Sequence, residues 1–222
     1  NSSAASDVYK RQAYTLLVQG EGVLEFINGL STNLVDGPCT TVFTNRAAQI
    51  IDVCDVIQVG ANVALVGYNP YKSSLIEHLS QRILGQAVSI SDISHLNDVF
   101  LGLEGCTCPE GTTVHGSFFG TMYVVPKKHA FIPTWTEEEW TEHRIDRLIP
   151  FHGHEIRPSV HPLACDLGEL VHPQKGCYIG QEVLTRMRSR GRLGHRLVKR
   201  NNPVENATTV GAEHSLVLER IQ

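Results

Sequence analysis

Ile50–Val59 is ten residues of β-branched and apolar strand pattern that runs into the turn Gly60-Ala61-Asn62 and on into a second such run, Val63–Val66. Two β-branched runs joined by so short a glycine-containing connection form a hairpin. The hairpin commits the N-terminal half to an antiparallel sheet. Around it the pattern alternates between strand and helix. Ala13–Val18 and Thr40–Thr44 read as strands. Gly20 to Gly29 reads as a short helix burying Val23, Leu24, Phe26 and Ile27. Tyr71 to Leu84 repeats apolar residues at helical spacing after the opening Asn69-Pro70. Ala87–Ile93 and Val99–Leu103 are further strands, which makes this part α+β.

Gly102 to Gly120 is rich in Gly, Thr and Cys and reads as a loop. Met122–Val125 and Ala130–Ile132 read as short strands. Thr136 to Leu148 reads as a helix with Thr136 as its N-cap and Glu137 to Glu139 in its first turn. Ile149 to Gln174 is dense in prolines and turn residues and reads as ordered irregular chain or short helices. Gly180 to Ser189 is a helix with Gly191 at its end, and Leu193–Val198 and Ser215–Ile221 are strands.

Composition is that of a soluble globular chain, 41% hydrophobic and 19% charged over 222 residues. No apolar run is long enough to suggest a membrane span. The net charge of −4 gives no overall bias toward nucleic acid. Lys175 to Arg200 is locally basic, with Glu182 its one acidic residue. The cysteines, at 39, 54, 106, 108, 165 and 177, are irregularly spaced in a chain too long to need a disulfide framework, which favours a reducing compartment. Cys106-Thr107-Cys108 is closer than structural zinc spacing and reads as a loop of free thiols, with metal binding as the alternative.

Both ends read as cut. Asp7-Val8-Tyr9-Lys10-Arg11-Gln12 is the translation of GATGTGTATAAGAGACAG, the tail of a transposase sequencing adapter, so residues 1–12 are taken as adapter-derived and native sequence as starting near Ala13. Leu216 to Gln222 reads as a strand that stops without a turn.

The octapeptide Lys175-Gly176-Cys177-Tyr178-Ile179-Gly180-Gln181-Glu182 combines a thiol with two glycines and the start of a helix. Gly176 and Gly180 bracket a tight turn in which φ > 0 or a close ligand approach is possible. Gln181 and Glu182 fall in the first helical turn. Helix N–H groups and the nearby Lys175 both favour a thiolate at Cys177. The other reading is an inert cysteine packed under the helix. Cys165, beside Asp166, is expected to have its thiol pKa raised by the carboxylate.

This octapeptide resembles the signature of the YgfZ family, relatives of the glycine-cleavage T-protein. Arg144-Ile145, Ile149-Pro150, Gly153-His154-Glu155-Ile156 and Pro162-Leu163 resemble the family's flanks, as do Val183 and Arg186 to Gly191. Val18-Gln19-Gly20 with Phe26, Gly29, Thr32 and Asn33 resembles the opening shared with T-proteins. The resemblance implies an α+β fold of T-protein-like folate-binding domains in a ring-like arrangement, followed by a truncated C-terminal β-barrel. The corresponding blocks are 13–96, 97–191 and 192–222. It implies tetrahydrofolate as ligand, and a role in assembly or repair of 4Fe-4S enzymes that depends on Cys177, with iron–sulfur enzymes or cluster-assembly proteins as partners. The alternative is a folate-dependent aminomethyltransferase. The implied ligand residues are Lys175, Gly176, Tyr178, Gly180, Gln181 and Glu182, with Asp52, Arg186 and Arg190. The compartment would be cytoplasmic in a prokaryote and mitochondrial or plastid in a eukaryote.

There are departures from the pattern. Ala48-Gln49 stands where many relatives carry Gly-Arg, and Val53 replaces the second member of the T-protein's acidic pair, leaving Asp52 as either a ligand-facing carboxylate or an exposed strand residue. No T-protein pterin segment is recognisable between Gly102 and Gly120. His152, His154 and His161, with Glu155 and Cys165 nearby, are turn and cap histidines or a metal site. The run Arg186, Arg188, Arg190, Arg192 and Arg196 is a solvated face or an anion site for the γ-carboxylates of a polyglutamylated folate, since Arg binds carboxylates bidentately. The lack of interleaved aromatics argues against nucleic acid.

Overall fold

The computed structural model describes residues 7–191 and 194–221. Arg192 and Leu193, to which the basic run and a strand start were assigned, lie outside the described residues. The elements in chain order are β1 (Val8–Arg11), β2 (Ala13–Gly20), α1 (Val23–Leu30), β3 (Cys39–Thr44), β4 (Ile50–Val59), β5 (Asn62–Tyr68), α2 (Lys72–Ser80), β6 (Val88–Asp92), β7 (Asn97–Gly102), β8 (Thr113–Ser117), β9 (Gly120–Pro126), α3 (Glu137–Arg147), α4 (Gln181–Ser189), β10 (His195–Asn201), β11 (Thr209–Val210) and β12 (His214–Arg220). Among the described residues no helix is long and apolar enough to cross a membrane.

The chain divides into two compact units, each assembled from several stretches. One comprises Asn1–Val23, Gly37–Thr40 and Cys54–Trp140, and the other Leu24–Asp36, Thr41–Val53 and Thr141–Gln222. The hairpin forms as its sequence requires. Val59 faces Asn62 across a two-residue turn, and Gly60 supplies the φ of 60° needed at the first central position. It belongs to a five-stranded sheet of order β3-β4-β5-β2-β6. Its strands β2 and β5 pair antiparallel from Ala13↔Tyr68 to Val18↔Val63.

The first unit holds a four-stranded sheet, β1-β7-β9-β8. Leu17, Ile57 and Val66 of one sheet and Val124 of the other line a cavity of about 220 Å³. β1 falls in the stretch read as adapter-derived, yet it pairs in register with β7, Val8 opposite Gly102 and Arg11 opposite Val99. β8 corrects the loop reading of Gly102 to Gly120. Only His115 of its five residues is buried, so it carries no apolar alternation and is defined by pairing with β9. Ala130–Ile132 is not a strand; Phe131 packs on Phe100 while Ile132 is exposed. α2 ends at Ser80, short of the expected Leu84, which is 88% exposed. α3 opens with a reciprocal capping box: Glu139 N–H donates to Thr136 Oγ1 (3.2 Å), and Thr136 N–H to Glu139 Oε2 (2.8 Å).

In the second unit β10, β12 and β11 form a three-stranded antiparallel sheet, and no closed barrel is present among the described residues. Leu197 and Leu216 pack there against Ile145. The irregular stretch between α3 and α4 is ordered by two short 3-10 turns, Pro162–Cys165 and Gly168–Leu170, and by buried polar contacts. Glu155, fully buried, accepts from Arg144 Nη1 (3.3 Å), Phe151 N–H (3.0 Å) and Thr209 Oγ1 (2.7 Å). Arg144 Nη1 also donates to Ile149 O (3.0 Å). These donors satisfy the buried carboxylate, and they tie β11 to the irregular stretch.

Candidate functional site

The octapeptide lies in the second unit, between the 3-10 turn Gly168–Leu170 and α4. The approach to it is fastened to the segment after α1: Thr32 Oγ1 donates to Leu170 O (2.6 Å), and His172 N–H donates to Thr32 O (3.0 Å). Midway, Lys175 is only 7% exposed. Its Nζ donates to Asn28 O (2.6 Å), Ser31 O (2.8 Å) and Asn33 O (2.6 Å). An ammonium has three N–H donors. The three carbonyls match those three donors, and they hold the ammonium against the segment that follows α1.

Tyr178 is buried with Ala48, Leu163, Val171 and Leu184, its ring 5.3 Å from Lys175 Nζ. Ile179 O accepts from Thr44 Oγ1 (2.7 Å). Gly180 then takes φ 86° as the N-cap of α4. A Cβ here would lie 2.8 Å from Asn45 O and 2.9 Å from Ala48 Cα, so two separate constraints demand glycine. Gly176 does not take the positive φ that was one of its two expected roles. A Cβ there would meet nothing within 4 Å.

Between these anchors Cys177 is exposed. The other thiols are more enclosed. Cys54 is buried and within 3.2 Å of Tyr14 Oη, and burial pushes Cys165 up to about 12. The raised value at Cys165 thus has burial as its main cause, whereas Asp166 accepts from Leu197 N–H (3.0 Å). Cys39, Cys106 and Cys108 are half-buried, and burial with the adjacent Cys106 pushes Cys108 up to about 11.

The arginines of α4 have separate assignments. Arg188 Nη2 donates to Gly168 O and Val171 O, both at 2.9 Å, and so braces the octapeptide's approach. Arg186 pairs with Glu182 one turn earlier at 2.6 Å, on the solvent side. Arg186 and Arg190 border one hollow of about 380 Å³ with His161, Val183 and Met187. His161 donates from Nδ1 to Ala48 O (3.0 Å). The lining combines two arginines with the apolar Val183 and Met187, which suits an organic carboxylate. A shallower depression lined by Gln181, Glu182, Thr185, Arg186 and Ser189 continues along the same helix.

Asp52 is fully buried and so is not an exposed strand residue. Its Oδ1 accepts from Val53 N–H (2.8 Å) and lies 3.0 Å from His152 Nε2. His152, Glu155 and His161 go to different partners, and Cys165 is buried. Among the described residues no group of three or more His, Cys, Asp or Glu is placed to hold a metal.

One polar residue that the sequence reading passed over stands out in the first unit. Asp55 is fully buried, 3.3 Å from Arg11 Nη1 and 3.7 Å from His115 Nε2, and accepts from Thr40 Oγ1 (2.6 Å). Burial acts to raise its pKa, but His115, Arg11, Thr40 and Ser117 together hold the carboxyl below its ordinary value. A second aspartate, three residues after Asp52 in a mostly apolar strand, was the available signal.

No protein-family model matches the chain, and no curated protein matches it in sequence. Among solved structures, the chain is similar to glycine cleavage system aminomethyltransferase T from Bartonella henselae. The TM-score is 0.70 at 12% identity, over 92% of this chain and 70% of that one. The chain has a T-protein-like fold.

Proposed function

We propose that this chain binds tetrahydrofolate and serves as an accessory protein in the assembly or repair of 4Fe-4S enzymes, with Cys177 as its working thiol. The observation that carries the reading is the presentation of Cys177. It is exposed on a loop whose neighbours on both sides are fastened inward, beside a helix with a cationic face. Bound tetrahydrofolate would supply a one-carbon carrier. The residues that suit its acidic tail are Arg186, Arg190 and His161 around the hollow on α4, and a polyglutamyl tail would reach further along the same helix. The likeness in fold to an aminomethyltransferase keeps folate in view as the ligand class.

A one-carbon transferase is the second reading. It would use a carboxylate facing the folate, and Asp52, the residue for which that part was expected, is enclosed against His152. That contact favours the accessory role.

Calorimetric titration with mono- and polyglutamylated tetrahydrofolate tests the folate half. Arg190→Ala should weaken the polyglutamylated form by ~1 kcal/mol, about fivefold, because the side chain is exposed and screened. It should leave the monoglutamylated form nearly unchanged. An absence of heat with either ligand removes folate from the reading. For the thiol half, Cys177→Ser should fail to restore a 4Fe-4S enzyme in cells lacking such an accessory protein; full restoration would reduce Cys177 to a surface residue.

A further inference from the structure

The last carbonyls of a helix lack intrahelical partners and carry the negative end of its dipole. At the end of α1, Ile27 O is satisfied by Ser31 Oγ (3.0 Å), and Asn28 Oδ1 accepts from Val35 N–H (2.9 Å) to fold the chain back. That fold turns Asn28 O, Ser31 O and Asn33 O toward one point, which Lys175 Nζ occupies at 2.6–2.8 Å. The face of Tyr178, 5.3 Å away, adds the electron-rich surface that attracts cations. Carbonyl oxygens converging in place of water are how proteins hold potassium-sized monovalent cations. At 7% exposure the ammonium has lost most of its hydration, and the three oxygens replace it.

We infer that the end of α1 is a cage for a monovalent cation of ammonium or potassium size, and that Lys175 fills it with a tethered cation whose work is to position the Cys177 loop. The alternative for this lysine, a direct contact to ligand, would need at least one of its donors free. The loop has further anchors at Leu170 to His172 on one side and at Tyr178 and Ile179 on the other, and Lys175 is the anchor on the N-terminal side that lies nearest the thiol in sequence. The inference rests on Cys177 as the working residue of the proposed function; the cage itself does not depend on folate.

Lys175→Ala and Lys175→Met, made in the full chain, test it by hydrogen exchange, thermal melting and Cys177 alkylation in the chlorides of potassium, ammonium, lithium and choline at equal ionic strength. Both variants in choline should exchange about tenfold or more faster than the parent across residues 28–34 and 171–180, as loss of charge-assisted hydrogen bonds predicts. Potassium or ammonium should restore protection to Lys175→Ala but not to Lys175→Met, whose side chain still fills the space. The alkylation rate of Cys177 should follow the protection while that of Cys39 stays constant. If Lys175→Ala does not fold in choline, recovery of its melt in potassium or ammonium supports the cage, and failure in every salt overturns it. Parent-like protection in both variants, or equal effects of all four salts, also overturns it. Loss of tetrahydrofolate binding with protection intact would hand Lys175 to the ligand instead. Absence of folate binding by the parent chain would remove the folate reading and leave the exchange result standing.

Discussion

The two glycines of the octapeptide should respond very differently to alanine, and the pair makes an internally controlled test of the site geometry. At Gly180 the backbone sits at φ 86°, where an L-residue is disfavoured by about 1–2 kcal/mol. The added methyl would also stand 2.8 Å from Asn45 O and 2.9 Å from both Ala48 Cα and Thr44 Oγ1. Two of those three atoms are backbone, so the turn around Asn45 to Ala48 has to move, and overpacking of this kind costs about 1–3 kcal/mol. The expected total is about 3 kcal/mol. In a chain of this size that lowers the melting temperature by roughly 6–12 °C. Thr44 is displaced as well, so its hydrogen bond to Ile179 O weakens and the Cys177 loop loses its C-terminal anchor. At Gly176 a methyl meets nothing within 4 Å, and alanine should change stability by less than about 0.5 kcal/mol. Thermal and urea denaturation of Gly180→Ala and Gly176→Ala, measured side by side, decide the matter. Equal shifts, or a larger loss at Gly176, would show that the turn before α4 is not built as described.

Two further outcomes follow from buried groups. His78 on α2 has its pKa lowered from 6.5 to about 4, first by burial and second by the charge of Arg82. The unfolded chain takes up a proton near pH 6.5 that the folded chain refuses until about pH 4, so stability is full above 6.5 and declines as pH falls through that window. At ~1.36 kcal/mol per pH unit the loss reaches at most about 3 kcal/mol. Urea midpoints between pH 7.5 and 4.5 should fall accordingly, and His78→Leu should flatten the profile; an unchanged slope would contradict the assignment. Glu155→Gln should destabilise by about 3 kcal/mol, because Arg144 is left buried without its counter-charge, and hydrogen exchange at Thr208 to Val210 should accelerate with it. A loss under about 1 kcal/mol would mean the network relaxes to another partner.

Elements set by local chemistry were legible in the sequence. The hairpin around Gly60, the Thr136 capping box and the helix after Gly180 each depend on residues within a few positions of one another, and each formed with nearly the expected bounds. β8 and β11 were not legible, because each exists through its partner strand and carries little apolar alternation of its own. The site divides the same way. The exposed cysteine before a helix and the basic face of α4 follow from local order. The partners of Lys175 lie 142 to 147 residues earlier, His152 is 100 residues from Asp52, and Thr209 is 54 from Glu155. No periodicity or spacing rule encodes such contacts, so the carbonyls that Lys175 bonds could not be read from its place beside Cys177.

The distribution of work within the octapeptide follows from these contacts. Lys175, Tyr178, Ile179 and Gly180 are each fixed by a contact into the surrounding fold: a carbonyl cage, an apolar cluster, a hydroxyl and a close backbone approach. Gly176, Cys177 and Glu182 are exposed. Replacing an inward residue should therefore disturb the position of the thiol before it disturbs any ligand contact, whereas replacing Cys177 should remove chemistry and leave the fold intact. A distinctive run of eight residues is consistent with a single reacting side chain held by its neighbours. On this reading, Lys175→Ala and Cys177→Ser would look alike in a complementation assay and differ in hydrogen exchange. That difference separates a positioning residue from the group it positions.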